Sequence, residues 1–228
     1  MMSSIQAFMH FSKNTHRNIK LLLCASIVLL AGCETVTPYD YTKLQESKPR
    51  SILVMPAINN SVEVNAPYTH LSTITKPLAE KGYYVFPVAV IDHFLKENGL
   101  PTPAEMNGIS LEKIREHIGP DAVLYTTIKN WGQKFQVFNS KTVVDAHLKL
   151  IDARTGELLW ESSAYAEINS DNGNNNGLLG ALISAAINQA IASANDRTPD
   201  AARIANGSAI NAKKTGLLYG PYVEAPKK

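Results

Sequence analysis

A ten-residue apolar run near the N-terminus, at residues 21–30, divides the chain into a targeting segment and a region that can fold. Three basic residues, with no acidic residue among them, precede this run: Lys13, Arg17 and Lys20. A basic region followed by a short apolar core and small residues is typical of a secretory signal peptide. Ten residues are too few to form a stable helix across about 30 Å of hydrocarbon. We therefore expect residues 1–32 to be a signal peptide and not part of the domain.

The end of this segment predicts the type of signal. Leu30, Ala31, Gly32 and Cys33 read LAGC, which resembles the lipobox of bacterial lipoproteins. The resemblance implies that Cys33 carries an S-diacylglycerol and an N-palmitoyl group, and that the signal is cut directly before it. The small side chains before the cysteine suit a narrow protease site, and the cysteine supplies the nucleophilic sulfur. The alternative is an uncleaved N-terminal anchor.

Cleavage changes the charge and the thiol content of the chain. The full chain of 228 residues has a net charge of +2 and two cysteines. Removal of residues 1–32 leaves 196 residues, and it removes three positive charges and Cys24, so the net charge becomes −1. With Cys33 acylated, no free thiol remains for a disulfide or a Cys-based metal site. An apolar content of 45% argues against disorder, and the charge balance argues against nucleic acid as a partner.

The residues after the cysteine bear on location. Glu34 favours the outer membrane, because Asp at this position retains enterobacterial lipoproteins in the inner membrane. The anchored chain would then face the periplasm or the cell surface. Residues 33–49 are polar, contain two prolines and show no sustained periodicity. We expect them to be a lipidated tether that lifts the domain off the bilayer.

Residues 50–170 alternate between strand and helix patterns. The continuous apolar run at residues 51–56 is typical of a buried strand. The pattern predicts strands at 51–56, 83–90, 122–135, 142–151 and 158–168, and helices at 70–81, 91–98 and 111–118. Their order, β-α-β-α-α-β-β-β, predicts an α/β (α+β) fold in which helices flank a mixed sheet.

An Asn-rich break at residues 169–177 leads into an uncharged helical pattern. Residues 177–194 carry a large apolar residue every four positions: Leu179, Ile183, Ile187 and Ile191. We interpret this stripe as a candidate interface with a partner or with a second copy. The alternatives are an ordinary helix that covers the sheet, and membrane insertion. A second helix is predicted over 200–213, so we expect residues 177–228 to pack on the domain as helices and a tail.

The sequence contains no recognised catalytic motif. It lacks a phosphate-binding loop, a serine nucleophile elbow, a zinc-protease motif and a dinucleotide fingerprint. The mature chain has four histidines: His70, His93, His117 and His147. None has a second His or Cys at ligand spacing. The Asn-rich break lacks the Glu at position twelve that a calcium loop needs. We expect no enzyme activity, no metal and no cofactor.

Several segments together resemble an uncharacterised family of bacterial lipoproteins. They are LAGC at 30–33, RSILVMP at 50–56, GYYVFP at 82–87, the Asn-rich break, and YGPY at 219–222. Members of this family tend to be encoded beside CsgG-like secretion lipoproteins. The resemblance implies a fold similar to the N-terminal domain of TolB, and a role in envelope assembly or transport. Fold similarity alone does not establish function.

Two functions follow as hypotheses. The first is an outer-membrane lipoprotein that acts as an accessory subunit of an envelope transport, secretion or assembly complex. Its partner would be a CsgG-like lipoprotein or a second copy of the chain. The alternative is a periplasmic binding module, with a pocket for a small envelope ligand between the sheet and the C-terminal helices.

Overall fold

A six-stranded mixed sheet forms the centre of the computed structural model, which describes residues 37–135, 140–169 and 196–224. The strands are β1 (Ser51–Val54), β2 (Ile58–Asn59), β3 (Tyr84–Val85), β4 (Ala122–Phe135), β5 (Ser140–Asp152) and β6 (Leu158–Asn169). Their order in the sheet is β3-β1-β4-β5-β6, and β2 pairs with β4 beyond the end of β1. The predicted α/β class, a mixed sheet with flanking helices, is confirmed.

The sheet has a parallel half and an antiparallel half. β1 runs parallel to β3 and β4, because helical segments connect these strands, whereas β4, β5 and β6 form an antiparallel meander. The turn between β5 and β6 contains Gly156 at φ +75°, a left-handed conformation that favours glycine. This turn is the hairpin loop that the sequence predicts.

Helices cover both faces of the sheet. They are α1 (Thr42–Ser47), α2 (Ala66–Glu80), α3 (Val88–Glu97), α4 (Pro103–Asn107), α5 (Leu111–His117) and α6 (Thr198–Asn211). α1, α2 and α6 pack on one side, which we call the closed face, and α3, α4 and α5 pack on the other, which we call the open face. No helix among these is long and apolar enough to cross a bilayer.

The closed face holds the larger core. Alternate residues of β5 point into it, as predicted: Val144, Ala146, Leu148 and Leu150. Trp131 and Trp160 are both fully buried there. α6 presents a row of buried alanines, which allows its backbone to lie close to α2 and the sheet: Ala201, Ala202, Ala205 and Ala209.

The open face holds a smaller core. Leu53 and Met55 point to this side, opposite to their neighbours Ile52 and Val54, because side chains alternate along a strand. They pack with Val123 of β4 and with four residues of the covering helices: Ile91, Leu95, Met106 and Ile114.

The predicted tether over 33–49 is wrong for its second half. Residues 42–47 form α1, and Leu44 is buried in the closed-face core. Tyr39 is tied to the C-terminal part of the chain, because its backbone N–H donates to the carbonyl of Lys214 at 3.1 Å. The sequence did not predict α1, because the segment is polar in composition and a single buried leucine in six residues makes no periodic pattern.

The predicted strand over 83–90 is much shorter in the structure. β3 contains only Tyr84 and Val85, and Val88 already begins α3. The carbonyl of Pro87 accepts hydrogen bonds from the backbone N–H groups of Val90 and Ile91, which starts the helix. Val88 and Val90 favour strands by composition, but helical packing of Ile91 on the sheet decides their conformation.

The segment after α6 lies on the domain. The backbone N–H of Leu217 donates to the carbonyl of Ile210 at 3.0 Å, and Leu217 is buried. The hydroxyl of Tyr83 donates to the carbonyl of Leu218, and the N–H of Gly220 donates to the carbonyl of Lys81. These bonds hold the segment against the end of α2.

Candidate functional site

The residues predicted to act at the membrane and at the interface lie outside the described residues. They are Leu30, Ala31, Gly32 and Cys33 of the lipobox, and Leu179, Ile183, Ile187 and Ile191 of the apolar stripe. The described part of the chain offers three other features with functional chemistry: a buried polar cluster, a polar pocket and an apolar groove.

The buried polar cluster joins α2, β4 and α6 behind the closed face. His70 and Asn206 are both completely inaccessible to solvent. The Nε2 of His70 lies 3.0 Å from the hydroxyl of Thr126, and the amide Nδ2 of Asn206 donates to the hydroxyl of Thr73 at 2.9 Å. The ring of Trp131 meets the ring of His70 edge to face. The cluster therefore links three elements that are distant in sequence.

Burial leaves the ring of His70 neutral at pH 7, because it lowers the pKa of the imidazole to about 4. The two ring nitrogens lie 3.0 Å from the hydroxyl of Thr126 and 3.5 Å from the amide Nδ2 of Asn206. A tautomer with its proton on Nε2 is compatible with both contacts. The ring therefore joins β4 and α6 to α2, and the cluster is a structural clamp.

A signal for this buried histidine was present in the sequence. His70 lies on the same helical side as Ile74, four residues later, and both are buried in α2. The sequence-based expectation for His70 concerned only metal binding, and it did not include the place of His70 in the core. Of the other histidines, His147 lies on the polar side of β5, where its Nε2 is 3.2 Å from Glu161.

A polar pocket of about 480 Å³ opens beside this cluster, between β4 and the start of α6. Its wall contains Glu63, Thr69, Trp131, Asp196 and Thr198. Among the described residues, the indole Nε1 of Trp131 has no hydrogen-bond partner, although it is buried. The pocket lies between the sheet and the start of α6, and the binding of a ligand there stays a prediction.

An apolar groove of about 730 Å³ lies on the open face, between α3 and α5. Its floor is apolar: Phe94, Leu95, Leu100, Ile109, Ile114 and Ile118. Lys113 and His117, one helical turn apart on α5, also line it. The carboxylate of Glu105 is already used, because it accepts from the N–H and hydroxyl of Thr102 at the start of α4. The lining therefore holds one carboxylate that caps a helix, and two exposed basic side chains, Lys113 and His117.

A buried carboxylate fixes α1 to the β5–β6 turn. Asp152 is almost fully buried, which alone would raise its pKa, but hydrogen bonds lower the pKa to about 2. The donors are the guanidinium of Arg154, the hydroxyl of Ser47 and the backbone N–H groups of Arg154 and Thr155. This network explains why the segment before β1 belongs to the domain.

The described residues contain no cluster of three or more His, Cys, Asp or Glu side chains that could hold a metal ion. The features that the structure brings together are thus a closed polar clamp, an open polar pocket and an open apolar groove, and the two open features are suited to binding.

Comparisons with known proteins identify the family. The family model described as "Putative lipoprotein GNA1162-like" matches residues 39–222. The protein named "Putative lipoprotein NMB1124/NMB1162" of Neisseria meningitidis serogroup B is 40% identical over 212 residues, which cover 91% of this chain and 98% of that protein.

Solved structures extend the comparison. The crystal structure of lipoprotein GNA1162 from Neisseria meningitidis matches with a TM-score of 0.53 at 43% identity, and it covers 64% of this chain and 100% of that chain. The PelC dodecamer from Paraburkholderia phytofirmans matches with a TM-score of 0.40 at 16% identity, covering 64% of this chain and 84% of that chain. The match over residues 39–222 and the 40% identity show that the chain belongs to the GNA1162-like family of lipoproteins.

Proposed function

We propose that this lipoprotein is held in the outer membrane through acylated Cys33 and serves as an accessory subunit of an envelope transport, secretion or assembly complex. Membership of a lipoprotein family supports the anchor, and the LAGC sequence at 30–33 supports the site of attachment. Glu34 supports the outer membrane as the location. The similarity to the TolB N-terminal domain stays a prediction.

The observation that carries the accessory role is the apolar groove between α3 and α5. Phe94 in this groove keeps 39% of its surface exposed, and Val90 on the same helix keeps 62%. Exposed apolar residues beside a groove are typical of a protein-binding surface. Lys113 and His117 would face a carboxylate of the partner. We infer an occupant that presents apolar side chains next to an acidic residue, and a CsgG-like lipoprotein is the proposed source.

Binding of a purified CsgG-like lipoprotein from the same organism tests the groove. We expect Phe94→Glu to abolish co-purification, because a carboxylate would enter an apolar floor beside the partner's own acid. Val62→Glu is the matched control, since Val62 is 91% exposed and lies outside the groove lining. Thermal unfolding of both variants checks that they fold. Equal binding by the two variants would show that the groove is not the binding site. No binding by the unaltered protein would show that the CsgG-like lipoprotein is not the partner.

The apolar stripe at 179, 183, 187 and 191 is proposed as a second interface. Its replacement by serines (Leu179→Ser, Ile183→Ser, Ile187→Ser and Ile191→Ser) is expected to abolish self-association or partner capture while the sheet domain still folds. Light scattering measures the oligomeric state, and circular dichroism checks the fold. Unchanged mass and unchanged capture would show that the stripe only covers the domain.

The anchor is tested separately at Cys33. Cells that incorporate a clickable palmitate analogue should label the unaltered protein, and Cys33→Ala should lose the label and leave the outer-membrane fraction. Labelling that persists in Cys33→Ala would place the lipid elsewhere. Recovery of the labelled protein in the inner-membrane fraction would show that Glu34 does not determine its location.

The polar pocket favours a second candidate, a binding module for a small envelope ligand. The buried indole N–H of Trp131 without a partner supports it, because such a donor is costly unless a ligand or water satisfies it. A muropeptide or a lipid headgroup analogue should then raise the melting temperature of the protein. The increase should disappear in Thr198→Val, which removes a hydroxyl from the pocket wall. No increase with either compound would reject this candidate.

A further inference from the structure

Few residues separate the proposed lipid anchor from the first hydrogen bond of the domain. The backbone N–H of Tyr39 donates to the carbonyl of Lys214, so only residues 34–38 lie between this bond and Cys33. Six steps of extended chain span at most about 20 Å. The link therefore keeps Tyr39 within about 20 Å of Cys33, whereas the tilt of the domain depends on the contacts that its surface makes with the membrane.

This surface has the composition of a membrane interface. Tyr39 and Tyr41 are half-buried, and their ring centroids lie 5.2 Å apart. The hydroxyl of Tyr41 donates to the carbonyl of Gly216, so α1 and the segment after α6 form one continuous surface. Tyrosine is enriched where an apolar region meets lipid headgroups, because its ring is apolar and its hydroxyl is polar.

Two adjacent lysines provide the charge. Lys213 and Lys214 are exposed, and neither ammonium has a partner among the described residues. Acidic groups also lie near the two tyrosines. Asp40 accepts from Thr42, which lowers its pKa and keeps it charged, and burial together with the nearby charge of Glu161 raises the pKa of the Tyr39 hydroxyl. Glu157 is neutralised by its pair with Lys43, so the two free lysines balance the two nearby acids and are the groups that can turn toward phosphates. Free ammonium groups on flexible stems can reach anionic phosphates beside a bilayer.

We propose that Tyr39, Tyr41, Lys213 and Lys214 form a docking surface for the anionic phospholipid headgroups of the membrane to which Cys33 is attached. The inference rests on the proposed acylation of Cys33. Docking would fix the orientation of the domain, so that the far end of β4, near Gly132, points away from the membrane.

The chain provides a clean way to measure this orientation. Cys24 leaves with the signal and Cys33 is acylated, so one introduced cysteine is the only free thiol of the mature protein. Asn211→Cys places a label within three residues of Lys214. Val62→Cys places it beside Glu63, which lies near Gly132. β4 begins at Ala122, and Gly132 lies ten residues further along the strand, about 33 Å away. The label at position 62 therefore marks the far end of β4.

Acylated full-length protein, each variant carrying a fluorescent label, is reconstituted into vesicles of phosphatidylethanolamine and phosphatidylglycerol that contain a headgroup-attached quencher. We expect strong quenching at Asn211→Cys and weak quenching at Val62→Cys. The difference should disappear when Lys213→Glu and Lys214→Glu are added, and it should remain with Lys213→Arg and Lys214→Arg. The difference should also decrease near 1 M salt, because the Debye length there is about 3 Å and the lysines no longer attract phosphates beyond that distance.

Two results would overturn the proposal. Equal quenching at both positions in vesicle-bound protein would show that the domain does not dock by this surface. A difference that survives charge reversal would show that the short link alone orients the domain, without lysine contacts. Mass spectrometry separates these from failure of the anchor. An unacylated Cys33 would reject the proposed function and this inference together, whereas acylated protein with unoriented labels would reject the inference alone.

Discussion

The two faces of the sheet are held together in different ways. On the closed face, α2 and α6 have no side-chain cap at their N-termini, and packing over a large core with both tryptophans stabilises them. On the open face, α4 and α5 have side-chain caps, a capping box between Thr102 and Glu105 and the hydroxyl of Ser110, and they cover a smaller core. α3, the third helix of this face, has no side-chain cap. Local bonds therefore support α4 and α5, whereas α3 depends on the packing of Ile91 and Leu95.

This difference separates stability from binding in one small domain. The closed face buries polar groups in a clamp around His70. The open face keeps Phe94 and Val90 exposed. Apolar surface that is not buried on folding remains available for association. We therefore expect substitutions on the closed face to affect folding most, and substitutions on the open face to affect binding most.

The largest expected effect is at Trp160. Its side chain is fully buried on the closed face, and its indole Nε1 donates to the carbonyl of Thr215 at 2.9 Å. Trp160→Ala should lower the free energy of unfolding by about 3–5 kcal/mol, since it creates a cavity and removes this bond. Met106→Ala on the open face should cost less, about 2–3 kcal/mol, because residues beside the groove can move into the space. Urea denaturation measures both, and a larger loss at Met106 would contradict the comparison.

The next effect depends on pH and belongs to the closed face. The pKa of buried His70 is lowered to about 4 from 6.5, so between these values the unfolded chain binds more protons than the folded chain. Stability should therefore fall as the pH drops from 6.5 to 4, by about 3 kcal/mol in total. His70→Gln should lose this slope. Urea midpoints across the window measure it, and an identical slope in both proteins would show that His70 is accessible to water.

A second acid transition should follow at lower pH. The lowered pKa of Asp152 means that its contribution to stability is present above pH 3.8 and is lost as the pH falls toward 2. This window lies below that of His70, so the two groups can be distinguished in one titration. Asp152→Asn should remove only the lower part of the dependence. If Asp152→Asn altered the pH dependence of stability near pH 5, relative to the unaltered protein, the assignment of the lower transition to Asp152 would be wrong.

Leu44 tests whether α1 belongs to the closed face or to a tether. Leu44→Ala should destabilise the domain by about 2–3 kcal/mol, because it empties a buried position. Thr37→Ala, at an exposed position before Tyr39, should have no measurable effect. Thermal or urea unfolding compares the two variants. Equal stability of the two variants would show that residues 42–47 belong to the tether that the composition predicts, and not to the domain.

The smallest effect concerns the caps of the open face. Ser110→Ala removes the hydroxyl that accepts from the backbone N–H of Lys113, and it should cost about 1 kcal/mol. Ser110→Gly should cost only a few tenths of a kcal/mol, because glycine is also tolerated at the N-cap of a helix. A loss close to that of Trp160→Ala would mean that α5 depends on packing rather than on its cap.

Much of the fold follows from local sequence patterns. The apolar run at 51–56, the alternation along β5, and the turn at Gly156 predict strands that the structure contains at almost the same residues. The helix predicted at 111–118 is α5, which follows Ser110 as its cap. In each case the signal lies within about ten residues, and the packing of the whole fold agrees with it.

Other elements were missed for physical reasons. The capping box of α4 is a local signal at Thr102 and Glu105, but no helix was predicted between residues 98 and 111. α2 begins at Ala66 without a side-chain cap, so Pro67 in its first turn is the main local mark of its start. Residues 88–90 resemble a strand, yet they begin α3, because burial of Ile91 and Leu95 against the sheet favours the helix.

By itself, the sequence determined the order of the central strands, because each strand signal depends on neighbouring residues. It also predicts a targeting segment whose cleavage would remove positive charge and a thiol, which follows from simple counting. Only the tertiary structure decided that α1 belongs to the domain, that His70 is buried in a clamp, and that the open face leaves a groove. These properties depend on which distant segments pack together, and burial is a property of the whole fold rather than of any one segment.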